Sequence, residues 1–271
     1  MDVTTQIHFR QCGNPSGPAI LYLHAVGTSR WMWDDQCELM PDYCCLVPDL
    51  PGHGANKEIA WRSAGHAADL IHDSILRDGR YAEVHLVGVS LGAYVGLELL
   101  SRYGEQFSSA VFSGLNVLPI RGRAVLTAVS TLSAPLLKFG PLARVNARML
   151  NIPGEKLDGY CNSARQTSLA AFRRASAEAL SYRLPDNAGD IDVPTLILAG
   201  ENEHALIHTS QRVLVKTLPN AAAGIARGGG HAWGLETPAL FADVVRSWTE
   251  RGIVDRSVKA LEAWTARSNA A

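Results

Sequence analysis

Short runs of apolar residues recur along the chain and alternate with segments in which apolar residues return every three or four positions. The runs are typical of strands buried on both faces, and they lie at residues 19–23, 43–47, 81–87, 109–112, 193–199 and 222–226. Helical spacing is found at residues 63–77, 93–103, 207–218 and 238–251. Because parallel strands need a crossover that is usually a helix, this alternation predicts an α/β fold. We expect a mostly parallel central sheet with helices on both faces.

The alternation breaks between residues 117 and 187. Helical spacing continues there at 121–133, 136–150 and 163–182, without an obvious strand. Because the stretch is too long for a simple crossover, we expect residues 117–187 to be a helical cap insertion in a core of residues 1–116 and 188–271. Its apolar residues predict helices that pack over the site and enclose an apolar pocket. Residues 254–266 predict one further amphipathic helix.

Length and bulk charge exclude several classes of protein. A chain of 271 residues suits one large α/β domain. Its net charge of −1 gives no overall field that would attract nucleic acid or a membrane surface. The first residues have neither a basic start nor an apolar run, so they do not predict a signal peptide. We therefore expect a cytoplasmic protein that binds a small molecule, with no nucleic-acid partner and no membrane association.

The cysteines predict neither a disulfide framework nor a metal centre. They form an odd and scattered set without the spacing of zinc ligands, namely Cys12, Cys37, Cys44, Cys45 and Cys161. We expect all five to be reduced thiols.

Charge is distributed unevenly between the two parts of the chain. Residues 117–187 contain ten Lys and Arg but four Asp and Glu, so the insertion carries +6 and the remainder −7. One interpretation is that these cations cover the solvated faces of surface helices. The other is that a basic cap steers an anionic small-molecule substrate towards a cleft.

The strongest chemical signal is Gly88-Val89-Ser90-Leu91-Gly92, which stands between a predicted strand and a predicted helix. A serine on so sharp a turn has a strained backbone, and side chains two residues before and after it would collide with neighbouring elements. The turn holds the Ser90 hydroxyl at the amino end of a helix. There the backbone N–H of Leu91 can face a developing oxyanion.

A serine nucleophile needs a base, and the base needs an acid that orients it. His231 follows the last predicted strand within a glycine run, and Glu203 follows the strand that ends at Ala199. The carboxyl ends of neighbouring parallel strands are where such groups meet. Glu201 is the rival acid, but the Gly-x-x-acid spacing from Gly200 favours Glu203.

Taken in order, these motifs resemble those of the α/β-hydrolase superfamily in its cap-bearing form. The five matching segments are 24–27, 49–54, 88–92, 200–203 and 230–231, which resemble the oxyanion loop, the Asp-x-x-Gly-x-Gly turn, the nucleophile elbow, the acid turn and the terminal histidine. Two positions depart from the family pattern. Glu203 stands where the family usually has Asp, and Ala25 replaces the usual glycine of the oxyanion loop.

The resemblance implies a role for each residue. Ser90 would be the nucleophile, His231 the general base and Glu203 the orienting acid. The backbone N–H groups of Val26 and Leu91 would receive the oxyanion. No metal ion and no organic cofactor is implied.

The resemblance also implies a reaction class. We expect a serine hydrolase that cleaves a carboxylic ester, thioester or lactone through an acyl-enzyme. Alternatives are cleavage of a carbon–carbon bond or acyl transfer by the same residues, and a non-catalytic small-molecule receptor. Trp31 and Trp233 flank the site loops and are candidates for contacts with the substrate.

Overall fold

The computed structural model describes residues 6–252 and 261–265, and it confirms the mostly parallel α/β sheet. The strands are β1 (Phe9–Gly13), β2 (Ala19–Leu23), β3 (Cys44–Pro48), β4 (Val84–Val89), β5 (Ser109–Ser113), β6 (Thr195–Gly200), β7 (Ala221–Ala226) and β8 (Leu261–Thr265). They are ordered β1-β3-β2-β4-β5-β6-β7-β8. Strands β2 to β7 are parallel, whereas β1 and β8 pair antiparallel at the two edges.

Helices cover both faces of the sheet. They are α1 (Asp34–Leu39), α2 (Ala64–Ile71), α3 (Leu91–Tyr103), α4 (Arg123–Ser133), α5 (Gly140–Met149), α6 (Leu157–Gln166), α7 (Leu169–Ala179), α8 (Ala205–Thr217), α9 (Trp233–Glu236) and α10 (Pro238–Arg251). All five residues of β2 are buried. Its Leu21 and Leu23 join the core cluster beneath α2 and α3, and its Ile20 and Tyr22 join the cluster on the opposite face, beneath α10. This alternation of side chains explains the continuous apolar run.

Residues 117–187, hereafter the insertion, lie between β5 and β6 and contain α4 to α7. The predicted helix at 163–182 is wrong at Thr167 and Ser168, where the chain turns between α6 and α7. Ser168 caps α7 through its hydroxyl, which accepts a hydrogen bond from the backbone N–H of Ala171. The N–H of Ser168 donates to the carbonyl of Gly52 at 2.8 Å, which ties the turn to the core.

Two sequence-based expectations are corrected here. Residues 261–265 form a strand and not part of a helix, because the edge of β7 offers unpaired backbone groups that β8 satisfies. The remainder of that predicted helix lies outside the described residues. Cys12 and Cys37 form a disulfide, since β1 and α1 bring their Cα atoms to 6.2 Å, within the range that a disulfide spans. The other three cysteines are free and buried.

Candidate active site

The turn at Ser90 has the geometry that its sequence predicts. Ser90 adopts φ 53° and ψ −114°, a conformation that costs a non-glycine residue energy and that the surroundings must maintain. Its N–H donates to the carbonyl of Ser113 at 2.8 Å. A Cβ on Gly88 would lie 2.7 Å from the carbonyl oxygen of Gly92, and a Cβ on Gly92 would overlap the carbonyl of Leu23. Both glycines are therefore required by close approach of the backbone.

His231 and Glu203 meet as the sequence suggests. His231 Nδ1 lies 2.8 Å from Glu203 Oε2, and the Glu203 side chain is 3% exposed while that of His231 is 35% exposed. Because a carboxylate can only accept, Nδ1 carries the proton of a neutral imidazole and Nε2 retains its lone pair. The arrangement leaves Nε2 available as a base.

The same contact changes the basicity of His231. Burial lowers the pKa of His231, but the hydrogen bond and the negative charge of Glu203 raise it by more. The net pKa lies above the ordinary value of 6.5. Glu203 therefore favours the protonated imidazole, the form that a general base reaches once it has accepted a proton.

The rival acid Glu201 is directed elsewhere. Its Oε2 accepts a hydrogen bond from the backbone N–H of Gly228 at 2.8 Å, and the contact is exposed. The loop before His231 contacts a second carboxylate that sequence reasoning missed. Glu236, at the end of α9, accepts a hydrogen bond at Oε1 from the N–H of Gly230 at 3.2 Å. No local motif announces Glu236, because its role depends on α9 folding back onto the loop.

Two buried histidines brace the loop that contains Val26. The N–H of Leu50 donates to His24 Nε2 at 2.9 Å, and the N–H of Gly27 donates to His53 Nε2 at 3.2 Å. Both imidazoles are acceptors at Nε2, which requires their neutral forms. Burial and, secondarily, the neighbouring His24 lower the pKa of His53 to about 3. These two histidines therefore hold the loops by local hydrogen bonds.

Ser90, His231 and Val26 line one cavity of about 110 Å³. The insertion contributes an apolar wall, formed by Leu150, Ile152 and Tyr160. Sequence reasoning predicted an apolar wall but not these residues, because nothing in a helical repeat distinguishes the positions that reach a distant cavity. Among the described residues, the Ser90 hydroxyl is not hydrogen-bonded to His231 in this conformation. Such contacts commonly tighten only when substrate binds.

Neither of the two tryptophans lines this cavity, and their contact with a substrate stays a prediction. Trp233 is 1% exposed and donates its indole N–H to Ser113 Oγ at 3.0 Å, so it belongs to the core. Trp31 donates to Ser163 Oγ at 2.6 Å and packs against the insertion. Its neighbour Met32 lines the cavity instead. Leu91, the other predicted oxyanion donor, is the first residue of α3.

The candidate metal ligands that cluster in groups of three among the described residues lie away from this cavity. Within the described residues, the one group of three such ligand atoms comprises Cys12, Cys37 and Cys45, and two of these sulfurs are joined in the disulfide. None of the three lines the cavity with Ser90.

The fold agrees with comparisons to known proteins. Residues 20–244 match the alpha/beta hydrolase family, and the chain belongs to that family of hydrolases. A relative from Gibberella zeae, described as an AB hydrolase superfamily protein, is 24% identical and aligns over 91% of this chain and 85% of its own. A candidate carbamate hydrolase, RutD, from Pseudomonas syringae pv. syringae is 27% identical over 89% of this chain and 96% of its own.

Solved structures show the same architecture. The crystal structure of a hydrolase from Pseudomonas aeruginosa PA01 superposes with a TM-score of 0.74 at 18% identity. The superposition covers 90% of this chain and 94% of that chain.

Proposed function

We propose that the protein is a serine hydrolase that cleaves a carboxylic ester, thioester or lactone through an acyl-enzyme on Ser90. The observation that carries this proposal is the contact between His231 Nδ1 and the buried Glu203 carboxylate at 2.8 Å. It orients a basic Nε2 in the cavity that also contains Ser90.

The proposed mechanism has two halves. In the first, Ser90 Oγ attacks the substrate carbonyl while His231 Nε2 takes the hydroxyl proton and then passes it to the leaving group. In the second, water attacks the acyl-enzyme, and His231 accepts the proton of that water and returns it to Ser90. Glu203 stabilises the imidazolium in both halves.

The negative charge that develops on the carbonyl oxygen needs donors that are fixed in advance. We propose the backbone N–H groups of Val26 and Leu91 for this role, since one lies on the cavity wall and the other follows Ser90 at the start of α3. Loss of one such donor typically raises a barrier by about 3 kcal/mol. The bracing of the Val26 loop by His53 through Gly27 supports this assignment, because the donor must be held before the reaction begins.

The cavity supports a short, neutral acyl group. Its lining contains no Lys or Arg among the described residues, and its volume of about 110 Å³ is small for a ligand site. The basic residues of the insertion therefore do not reach the acyl position, and we expect an ester of a short fatty acid to be cleaved faster than a long-chain ester. Matched neutral and anionic esters should show equal, shallow dependence of kcat/KM on salt.

Labelling with a fluorophosphonate tests the nucleophile directly. The wild-type protein should be labelled at Ser90, and Ser90→Ala should lose both labelling and turnover while keeping its melting temperature. A substrate panel of p-nitrophenyl esters, thioesters, lactones and carbamates then defines the bond. The carbamates are included because the relative RutD is named for that substrate class. Absence of labelling would favour a small-molecule receptor, and acyl transfer to an added alcohol without hydrolysis would favour a transferase.

A further inference from the structure

Large apolar side chains are exposed almost exclusively in one stretch of the insertion. Of the ten that are exposed among the described residues, nine lie between residues 125 and 149. They are Val125, Leu126, Val129, Leu132, Leu136, Phe139, Leu142, Val145 and Met149. A large exposed apolar patch of this kind marks a site that binds another protein or a membrane.

The first part of this stretch is a helix whose apolar side faces water. Val125, Val129 and Leu132 recur at the spacing of one helix face, and none of the residues of α4 is buried. Leu132 is 77% exposed. An apolar helix face normally packs against the core, so the sequence predicted the opposite orientation.

The second part repeats the arrangement. In α5, Ala143 and Ala147 are the buried residues, whereas Leu142, Val145 and Met149 are exposed. Met149 is 80% exposed. The helix therefore packs on the protein through its small side chains, and its large apolar side chains are exposed at the surface.

Charge identifies what covers this surface. Residues 117–154 contain five cations and no Asp or Glu, and the cations are Arg121, Arg123, Lys138, Arg144 and Arg148. Lys138 donates to the carbonyl of Arg165. Arg144 is paired with Asp158 of the adjacent α6 at 3.2 Å. Asp158 therefore lies beside this surface, but residues 117–154 contribute cations and no carboxylate to it. An apolar surface interspersed with such an excess of cations complements a layer of anionic headgroups above hydrocarbon.

We propose that residues 125–149, with the flanking cations, form a face that docks on the surface of an anionic phospholipid bilayer. No helix among the described residues is long and apolar enough to cross a membrane, so the docking is interfacial. The exposed Leu, Val, Phe and Met side chains enter the headgroup region while the cations contact lipid phosphates. The net charge of −1 concealed this surface, because it averages a basic insertion with an acidic core.

Flotation with phosphatidylcholine vesicles, with and without phosphatidylglycerol, tests the proposal. We expect binding to the vesicles that contain phosphatidylglycerol, and we expect it to weaken with salt. Leu132→Ser combined with Met149→Ser should weaken binding about tenfold or more. Arg123→Gln and Arg148→Gln should each weaken it about fivefold. Leu39→Ser is the matched control, because Leu39 is the one exposed large apolar residue outside this stretch among the described residues.

Binding is measured without turnover, so the result is independent of the proposed hydrolase activity. Ser90→Ala should bind vesicles as the wild type does. The Leu132 and Met149 variants should retain the melting temperature of the wild type, which distinguishes lost docking from lost folding. The proposal would be overturned if the wild type and the double variant bound equally to vesicles that contain phosphatidylglycerol. A dimer in lipid-free solution that the double variant dissociates would also overturn it, because the face would then be an interface between two copies.

Discussion

The sheet and the insertion use apolar residues in opposite ways. Strands β2, β3, β4 and β6 bury every residue they contain, whereas α4 buries none. The part that holds Ser90 is thus fixed by close packing, and a shift there would disturb many contacts. Helix α4 of the insertion buries no residue and is not held by close packing of this kind. The difference indicates that the strands beneath the site are held by buried packing, whereas the apolar side chains of α4 lie at the surface.

The helices of the insertion differ in how firmly they are attached to the core. Its last helix, α7, is anchored because the Glu178 carboxylate accepts hydrogen bonds from Trp61 Nε1 and from the N–H of Ala64, both at 2.8 Å. Burial raises the pKa of Glu178, and these two hydrogen bonds oppose that effect. The preceding α4 and α5 make no comparable buried polar contact with the core among the described residues. Changes in the core should therefore be costly, and changes at the exposed positions of α4 and α5 should have little effect on stability.

The largest expected effect lies in the core, at Glu203, the proposed orienting acid. Glu203→Gln should lower kcat/KM by about 10³- to 10⁴-fold, because an amide neither stabilises the imidazolium nor fixes the tautomer. Glu201→Gln should remain near wild type, since Glu201 contacts Gly228 and not His231. The measurement is steady-state turnover of a p-nitrophenyl ester by the two variants. A larger loss in Glu201→Gln would move the acid to Glu201.

Wild type and Glu203→Gln can also be compared in the pH dependence of kcat/KM. Because Glu203 raises the pKa of His231, wild-type kcat/KM should rise with pH through an apparent pKa above 6.5. In Glu203→Gln the residual activity should rise through a lower pKa, since burial alone lowers it.

A matched pair of glycines gives the next effect. Gly92→Ala places a methyl against the carbonyl of Leu23 and should lower the free energy of unfolding by about 2–3 kcal/mol. Gly140→Ala at the start of α5 meets nothing within 4 Å and should be neutral or slightly stabilising. Urea denaturation of both variants measures the two changes. Equal losses would contradict the contrast between core and insertion.

Acid should weaken the core through His53. Its folded pKa of about 3 lies below the ordinary value of 6.5, so the neutral form is favoured by folding. The resulting stability is present above pH 6.5 and is lost as pH falls, at about 1.4 kcal/mol per pH unit. Between pH 6.5 and about pH 5 this single residue should contribute a loss of about 2 kcal/mol. In His53→Gln, stability should depend less steeply on pH over that interval, and unchanged slopes would assign the acid sensitivity elsewhere.

The smallest expected effect lies in α4. Leu132→Ala removes a side chain that is largely exposed, so the free energy of unfolding should change by no more than about 0.5 kcal/mol. Denaturation in the absence of lipid is the appropriate measurement. A loss of several kcal/mol would show that Leu132 packs against the protein in solution.

The features predicted well from sequence depend on neighbours in the chain. The elbow at Ser90 follows from Gly88 and Gly92, which approach each other closely because they belong to the same five-residue turn. The buried strands follow from continuous apolar runs. The pairing of His231 with Glu203 was also inferred, because parallel strands β6 and β7 deliver the ends of both loops to one edge.

The features predicted poorly depend on distant contacts. The disulfide of Cys12 with Cys37 requires β1 to lie beside α1, and Trp233 is withdrawn into the core because Ser113 satisfies its indole N–H. The exposed face of α4 is the clearest case. Its apolar spacing is correct for a helix, but spacing alone does not tell which side of that helix meets water.

The register of β5 against β6 has a practical consequence for engineering. Ala110 pairs with Thr195 and Ser113 pairs with Leu198, although the whole insertion separates the two strands along the chain. The insertion is therefore a detour that leaves and rejoins the sheet at adjacent strands. A different helical segment spliced between these two strands would leave the strand register unchanged. The insertion could then be exchanged as a unit without altering the strands that precede Ser90 and Glu203.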